Sequence, residues 1–272
     1  MTHDHDSEPH DHDRGLAFDF AQMVSRRGVL TLLGGAGLAS LAACSSKSTR
    51  TSAATSATET SGAAPTTEIP EETAGPFPGD GSNGANVLTQ SGIVRSDITK
   101  SFGTGSATAA GVPLTIKLTL LDINKGAAPM AGAAVYIWHC DRDGRYSLYS
   151  QGVEGENYLR GVQEAGPDGV VTFTTIYPAA YPGRWPHVHF EIYENLARAA
   201  AAGDKLRTSQ LALPLETNQL VYATPGYEAS VGNLAQTSLN TDMVFSDGYS
   251  LQLAKISGSV ANGLTASLNV PV

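Results

Sequence analysis

Alternation of apolar and polar residues is the clearest regular signal along this chain. Residues 112–123 (VPLTIKLTLLDI) alternate over most of their length, as a strand with one buried face does. Residues 133–140 (AAVYIWHC), 170–176 (VVTFTTI) and 206–213 read as further strands. Two apolar stretches at 243–245 and 251–260 are read the same way. Between them stand Asn124-Lys125-Gly126, Asp141-Arg142-Asp143-Gly144 and Asp168-Gly169, residue types that favour tight turns. A short Ala-rich insert at 195–202 favours helix. Many short strands with Gly, Pro and Asp turns and little helix predict an all-β fold: an antiparallel β-sandwich, or a related barrel, with long loops. No internal repeat and no second domain is evident.

One more alternating stretch carries the chemistry. From His187 to Ile192 the polar residues His187, His189 and Glu191 interleave with Val188, Phe190 and Ile192, again a strand with one buried face. Two residues apart on a strand, both imidazoles point the same way from Cα atoms roughly 7 Å apart, close enough to share a metal ion. An H-x-H alone also reads as the polar face of an ordinary strand. Here it has company: Arg184 three residues before His187, Tyr181 six before, and a Pro-rich turn joining them.

The chain has 272 residues and a net charge of −9, enough for one sizeable core with tails. That acidic balance argues against a nucleic-acid partner. Its two cysteines, Cys44 and Cys140, offer no disulfide framework. The first 44 residues read as an address: a His/Asp-rich opening, then Ser25-Arg26-Arg27-Gly28-Val29-Leu30 and an apolar Gly/Ala/Leu run ending at Leu41-Ala42-Ala43-Cys44. Adjacent arginines before a short apolar segment match a twin-arginine export signal. The final four residues resemble a lipobox, with Cys44 the acylated residue anchoring the protein outside the cytoplasmic membrane. Simple cleavage after a small residue is the other reading. Residues 45–68 are Ser, Thr and Ala with scattered Gly and Pro, a flexible tether. The catalytic domain is expected at 69–272. Past residue 44 only His139, His187 and His189 remain of seven histidines.

With three histidines and one cysteine left, a metal site must recruit oxygen donors. The tyrosines sit best: Tyr181 on the turn before the His pair, and Tyr146 after the strand that carries Trp138 and His139. Phenolate is a hard, anionic donor, and only a strongly Lewis-acidic ion holds tyrosine deprotonated near neutral pH. Two phenolates with two imidazoles suggest Fe(III) rather than Zn(II) or copper. Taken singly, each tyrosine reads equally as a packing aromatic; the inference rests on the set.

Four segments then complete a resemblance: ETAGPFPGDGS (72–82), VYIWHCDRDGRYS (135–147), TIYPAAYPGRWPHVHF (175–190) and TSQLALP (208–214). Together they resemble the intradiol ring-cleaving dioxygenases of the catechol and protocatechuate 3,4-type, in particular the exported bacterial members. The resemblance implies a prealbumin-like β-sandwich binding non-haem Fe(III) through Tyr146, Tyr181, His187 and His189, Tyr181 being the ligand that leaves when substrate chelates. It assigns Arg184 to stabilising the anionic ring and places Gln210 near the cleavage site. The implied substrates are a catechol and O2, and the implied product is a cis,cis-muconate. Where the family usually reads R-P-A-H, this chain has Arg184-Trp185-Pro186-His187, so Trp185 is expected to wall the pocket differently. The family position of His139 is not a ligand, which implies a supporting role, and Cys140 reads as a small buried hydrophobe. A β-sandwich surface module of transthyretin-like or carbohydrate-binding type, without catalysis, is the rival reading. The oligomeric state and the individual catechol stay open.

Overall fold

The computed structural model describes residues 67–272. The expected export signal, the Cys44 anchor and nearly all of the expected tether lie outside the described residues. Two sheets face each other. The first is built on β1 (Pro113–Asp122), whose alternate residues Leu114, Ile116, Leu118 and Leu120 are buried. β5 (Val170–Ile176) and the two-residue β2 (Ala128–Pro129) pair with it antiparallel. On its other side β1 meets β9 (Gly263–Pro271), followed outward by the edge strand β8 (Lys255–Ser259). The second sheet runs β4 (Arg160–Glu164), β3 (Ala134–Trp138), β6 (His187–Tyr193), β7 (Arg207–Ala212), all antiparallel.

The apolar faces meet between the sheets. Leu114 to Leu120 of β1, Phe173 of β5 and Val270 of β9 pack with Val135 and Ile137 of β3, Val188, Phe190 and Ile192 of β6, and Leu211 of β7. Each such side chain removed from water stabilises the fold by about 1.5–3 kcal/mol, the main support for the sandwich.

The structure departs from the sequence reading in several places. β1 and β9 pair parallel, so the first sheet is mixed. Residues 243–245 are not a strand: they lie in a run of turns, and Val244 and Phe245 reach the core from there. Of 251–260 only Lys255–Ser259 is strand. β6 is buried on both faces rather than one, because loops cover its polar side. Among the described residues three α-helices appear: α1 (Leu196–Ala200), within the Ala-rich insert and capped by Asn195, then α2 (Leu215–Tyr222) and α3 (Glu228–Leu234). No helix among the described residues is long and apolar enough to cross a membrane.

Candidate metal centre

The outer face of the second sheet aligns the site in one row. Trp138 of β3 lies opposite His189 of β6, and His189 lies opposite Gln210 of β7. Directly paired residues of antiparallel strands project to the same side, so this row shares a face. The Trp138 and His189 rings stack with centroids 4.8 Å apart and planes 5° from parallel, which fixes the imidazole's orientation.

Two loops bring the tyrosines over that row. Asp141 turns the chain after β3, its Oδ1 accepting the N–H groups of Asp143 and Arg145, with Gly144 at φ 83°. Tyr146 follows, 2% exposed, its ring 4.9 Å from that of Phe77. The loop between β5 and β6 supplies Tyr181. It is tied down just before that residue: the Ala180 N–H donates to Ser230 Oγ (3.0 Å) and the Ala180 carbonyl accepts from Asn233 Nδ2 (2.8 Å), both from α3.

Four donor atoms converge. His187 Nε2 and His189 Nε2 are 3.0 Å apart, and Tyr146 OH, Tyr181 OH and His187 Nε2 stand 3.4 Å from one another. An ion held by bonds of about 2 Å at angles of roughly 90–110° has edges of this length, so the set fits one metal ion. His187 Nδ1 donates to the Trp185 carbonyl at 2.5 Å, leaving Nε2 as the lone pair. Burial, then the nearby Arg184 charge, holds the His187 pKa well below its ordinary value; burial, the His187 neighbour and Arg184 do the same for His189. Both imidazoles are therefore neutral, as a metal requires. Burial pushes the Tyr146 phenol well up and Tyr181 to about 12, so neither ionises near neutral pH without a strong Lewis acid. Among the described residues no group of three or more His, Cys, Asp and Glu side chains suits a metal ion. The converging set is two imidazoles and two phenols.

Arg184, itself buried, donates from Nε to Asp242 Oδ2 (2.9 Å) and from Nη2 to Gln210 Oε1 (2.6 Å). Gln210 Nε2 in turn donates to the Thr73 carbonyl (2.9 Å). All six residues singled out from the sequence thus lie at one place. Trp185 does not wall the centre; it belongs to the main core and its indole N–H donates to the Leu213 carbonyl. His139 uses both nitrogens elsewhere, Nδ1 on the Cys140 carbonyl and Nε2 on Thr175 Oγ1, which leaves no lone pair for a metal. Cys140 is buried and free. Asp242, 58 residues from Arg184 in the chain, and the Trp138 stack on His189 carry no local signal that sequence reasoning could have used.

The family model described as Dioxygenase matches residues 89–202. An intradiol ring-cleavage dioxygenase from Tetranychus urticae superposes with a TM-score of 0.59 at 26% identity, over 75% of this chain and 94% of that one. The chain is thus similar, in sequence and in fold, to intradiol ring-cleaving dioxygenases. Among curated relatives, a 6-chlorohydroxyquinol 1,2-dioxygenase of Cupriavidus pinatubonensis is 34% identical over 33% of this chain and 41% of its own length. A chlorocatechol 1,2-dioxygenase of Rhodococcus opacus is 36% identical over 20% of this chain and 21% of its own. The matches thus span less than half of either curated relative.

Proposed function

We propose that this chain is an exported, non-haem Fe(III) intradiol dioxygenase. In this reading it opens catechol-type rings between the two hydroxyl-bearing carbons with O2, giving cis,cis-muconate-type products. Both oxygen atoms enter the product, and no external reductant is consumed. The observation that carries the reading is the convergence of Tyr146 OH, Tyr181 OH, His187 Nε2 and His189 Nε2 beside the Arg184 guanidinium. The curated relatives' names favour a catechol or hydroxyquinol as substrate class. Export is supported by the Arg26-Arg27 leader, and anchoring by the placement of Cys44.

When bound, a ferric ion supplies the electron withdrawal that ionises phenols near neutral pH and activates a chelated catechol toward O2. The chain does the rest. His187 and His189 offer neutral lone pairs from a rigid strand. Tyr181, half-buried where Tyr146 is fully buried, is placed to swing aside and take a substrate proton on its phenolic oxygen. Arg184 sets a positive charge beside the ring as negative charge develops on it. Its Nε and Nη2 are engaged, and among the described residues Nη1 makes no hydrogen bond.

The test is the visible spectrum and iron content of protein lacking residues 1–44. About one iron per chain with a phenolate-to-iron charge-transfer band that shifts on anaerobic addition of catechol supports the assignment. Protein that stays colourless after iron reconstitution overturns it and returns the chain to a binding module.

A further inference from the structure

We propose that Asp242 is a positioning residue of this centre, fixing the direction of the Arg184 guanidinium and the peptide that leads into His187. The proposal rests on the dioxygenase reading for its consequence but not for its geometry. The Asp242 side chain has no exposed surface, and its carboxylate is saturated. Oδ2 accepts from Arg184 Nε (2.9 Å) and from the Trp185 N–H (2.6 Å). Oδ1 accepts from the N–H groups of Val244 (2.8 Å) and Phe245 (3.2 Å).

Those last two bonds anchor the carboxylate to the core, since Val244 and Phe245 are buried there. The backbone around Asp242 is braced as well: its N–H donates to the Ser238 carbonyl and its own carbonyl accepts from Ser246. A rigid anion is thereby presented to two consecutive groups before the H-x-H strand. One is the guanidinium, whose second hold is Gln210 Oε1. The other is the Trp185 N–H; the carbonyl of that same residue accepts from His187 Nδ1–H and so directs Nε2 inward. A planar guanidinium held at Nε and Nη2 has its remaining edge fixed in direction. A single carboxylate therefore orients the cation and steadies one imidazole.

The sequence context agrees with this division of labour. Trp185 occupies the core rather than the centre, so the loop from Tyr181 to Pro186 is pinned from outside the site, by Asp242 and by the Leu213 carbonyl.

The experiment uses Asp242→Asn, which keeps the volume and one acceptor oxygen but surrenders the charge and sets an NH2 group against two donors. In metal-free wild-type protein, the Arg184 Nε–H resonance, assigned through its loss in Arg184→Gln, is expected to exchange with solvent at least tenfold more slowly than in D242N. The backbone amide spectrum of D242N should otherwise match. In iron-loaded protein, D242N should lower kcat/KM for catechol about 10²-fold, as expected for a misplaced group. Combined with R184Q it should add less than about twofold, because both variants remove one function. Equal Nε–H exchange in the two proteins, or losses that multiply in the double variant, overturns the proposal. If D242N does not fold, the wild type alone decides: a freely exchanging Nε–H means no fixed pair. The two readings fail separately. Colourless wild-type protein with a protected Nε–H defeats the dioxygenase reading and leaves the pair standing. Coloured, active protein with an unprotected Nε–H does the reverse.

Discussion

At the scale of single residues, burial sets the ionisation that the centre needs, and it does the same for a histidine outside it. Burial holds the His139 pKa at about 4, with the nearby Arg160 charge acting in the same direction; its bond to the Cys140 carbonyl and the Asp141 charge oppose them only partly. The unfolded chain takes up that proton near 6.5. His139 therefore contributes its full stability above about pH 6.5 and loses it as pH falls toward 4, a difference of about 3 kcal/mol. Denaturant melts of wild type and His139→Gln between pH 7 and 4 check this: the variant should be less stable at pH 7, and the gap should close on acidification. A gap independent of pH would refute it. The two tyrosines make a second test. In Tyr146→Phe the ring still packs on Phe77, so stability of the iron-free protein should change by no more than about 1 kcal/mol, the usual worth of one hydroxyl. Iron retention and the charge-transfer band should nonetheless fall sharply. A variant that keeps its iron and colour would make Tyr146 a packing aromatic only.

At the scale of elements, what was readable from sequence is what local patterns encode. The alternation of β1, β5 and β6 and the Tyr-x5-His-x-His spacing depend on near neighbours, and all three segments are strands, although β6 is buried on both faces rather than one. The missed features are long-range. The parallel partnership of β9 with β1 joins residues about 150 apart and leaves no mark on either strand. Val244 and Phe245 are apolar because they bury, but turns carry them inward, so their hydrophobicity was misread as strand. Asp242 carries no local signal either, because only the fold brings it against Arg184. Helix α3 belongs to the same class, and its service to the site is testable. Ser230→Ala strips the buried Ala180 N–H of its acceptor, a cost of about 1–3 kcal/mol. The peptide next to Tyr181 should loosen with it. The expected result is a lowered melting temperature together with a shifted charge-transfer band, whereas an unchanged band would limit α3 to a purely stabilising role.

At the scale of the whole molecule, the centre joins parts of the chain that the sandwich alone does not hold together. Tyr146 stands on the loop after β3, Tyr181 on the loop before β6, and the two histidines on β6 itself. With all four donors neutral, removing a bound ion should cost little electrostatically, because no like charges are pressed together there. The sheets, whose apolar faces meet without any help from the centre, should persist when the ion is removed. Iron that binds only the folded state adds stability by mass action, about 2.7 kcal/mol at a free concentration one hundred times its dissociation constant. For a domain of this size each kcal/mol moves the midpoint by about 2–4 °C. Chelation should therefore lower the melting temperature by roughly 5–10 °C while the far-ultraviolet spectrum at room temperature stays that of a β-sandwich. Restoring iron should bring the midpoint back, and Tyr146→Phe should show a much smaller response. An unfolded chelated protein would mean that the loops, not the sheets, nucleate the fold. A midpoint indifferent to iron in the wild type would mean that the four converging donors do not bind it.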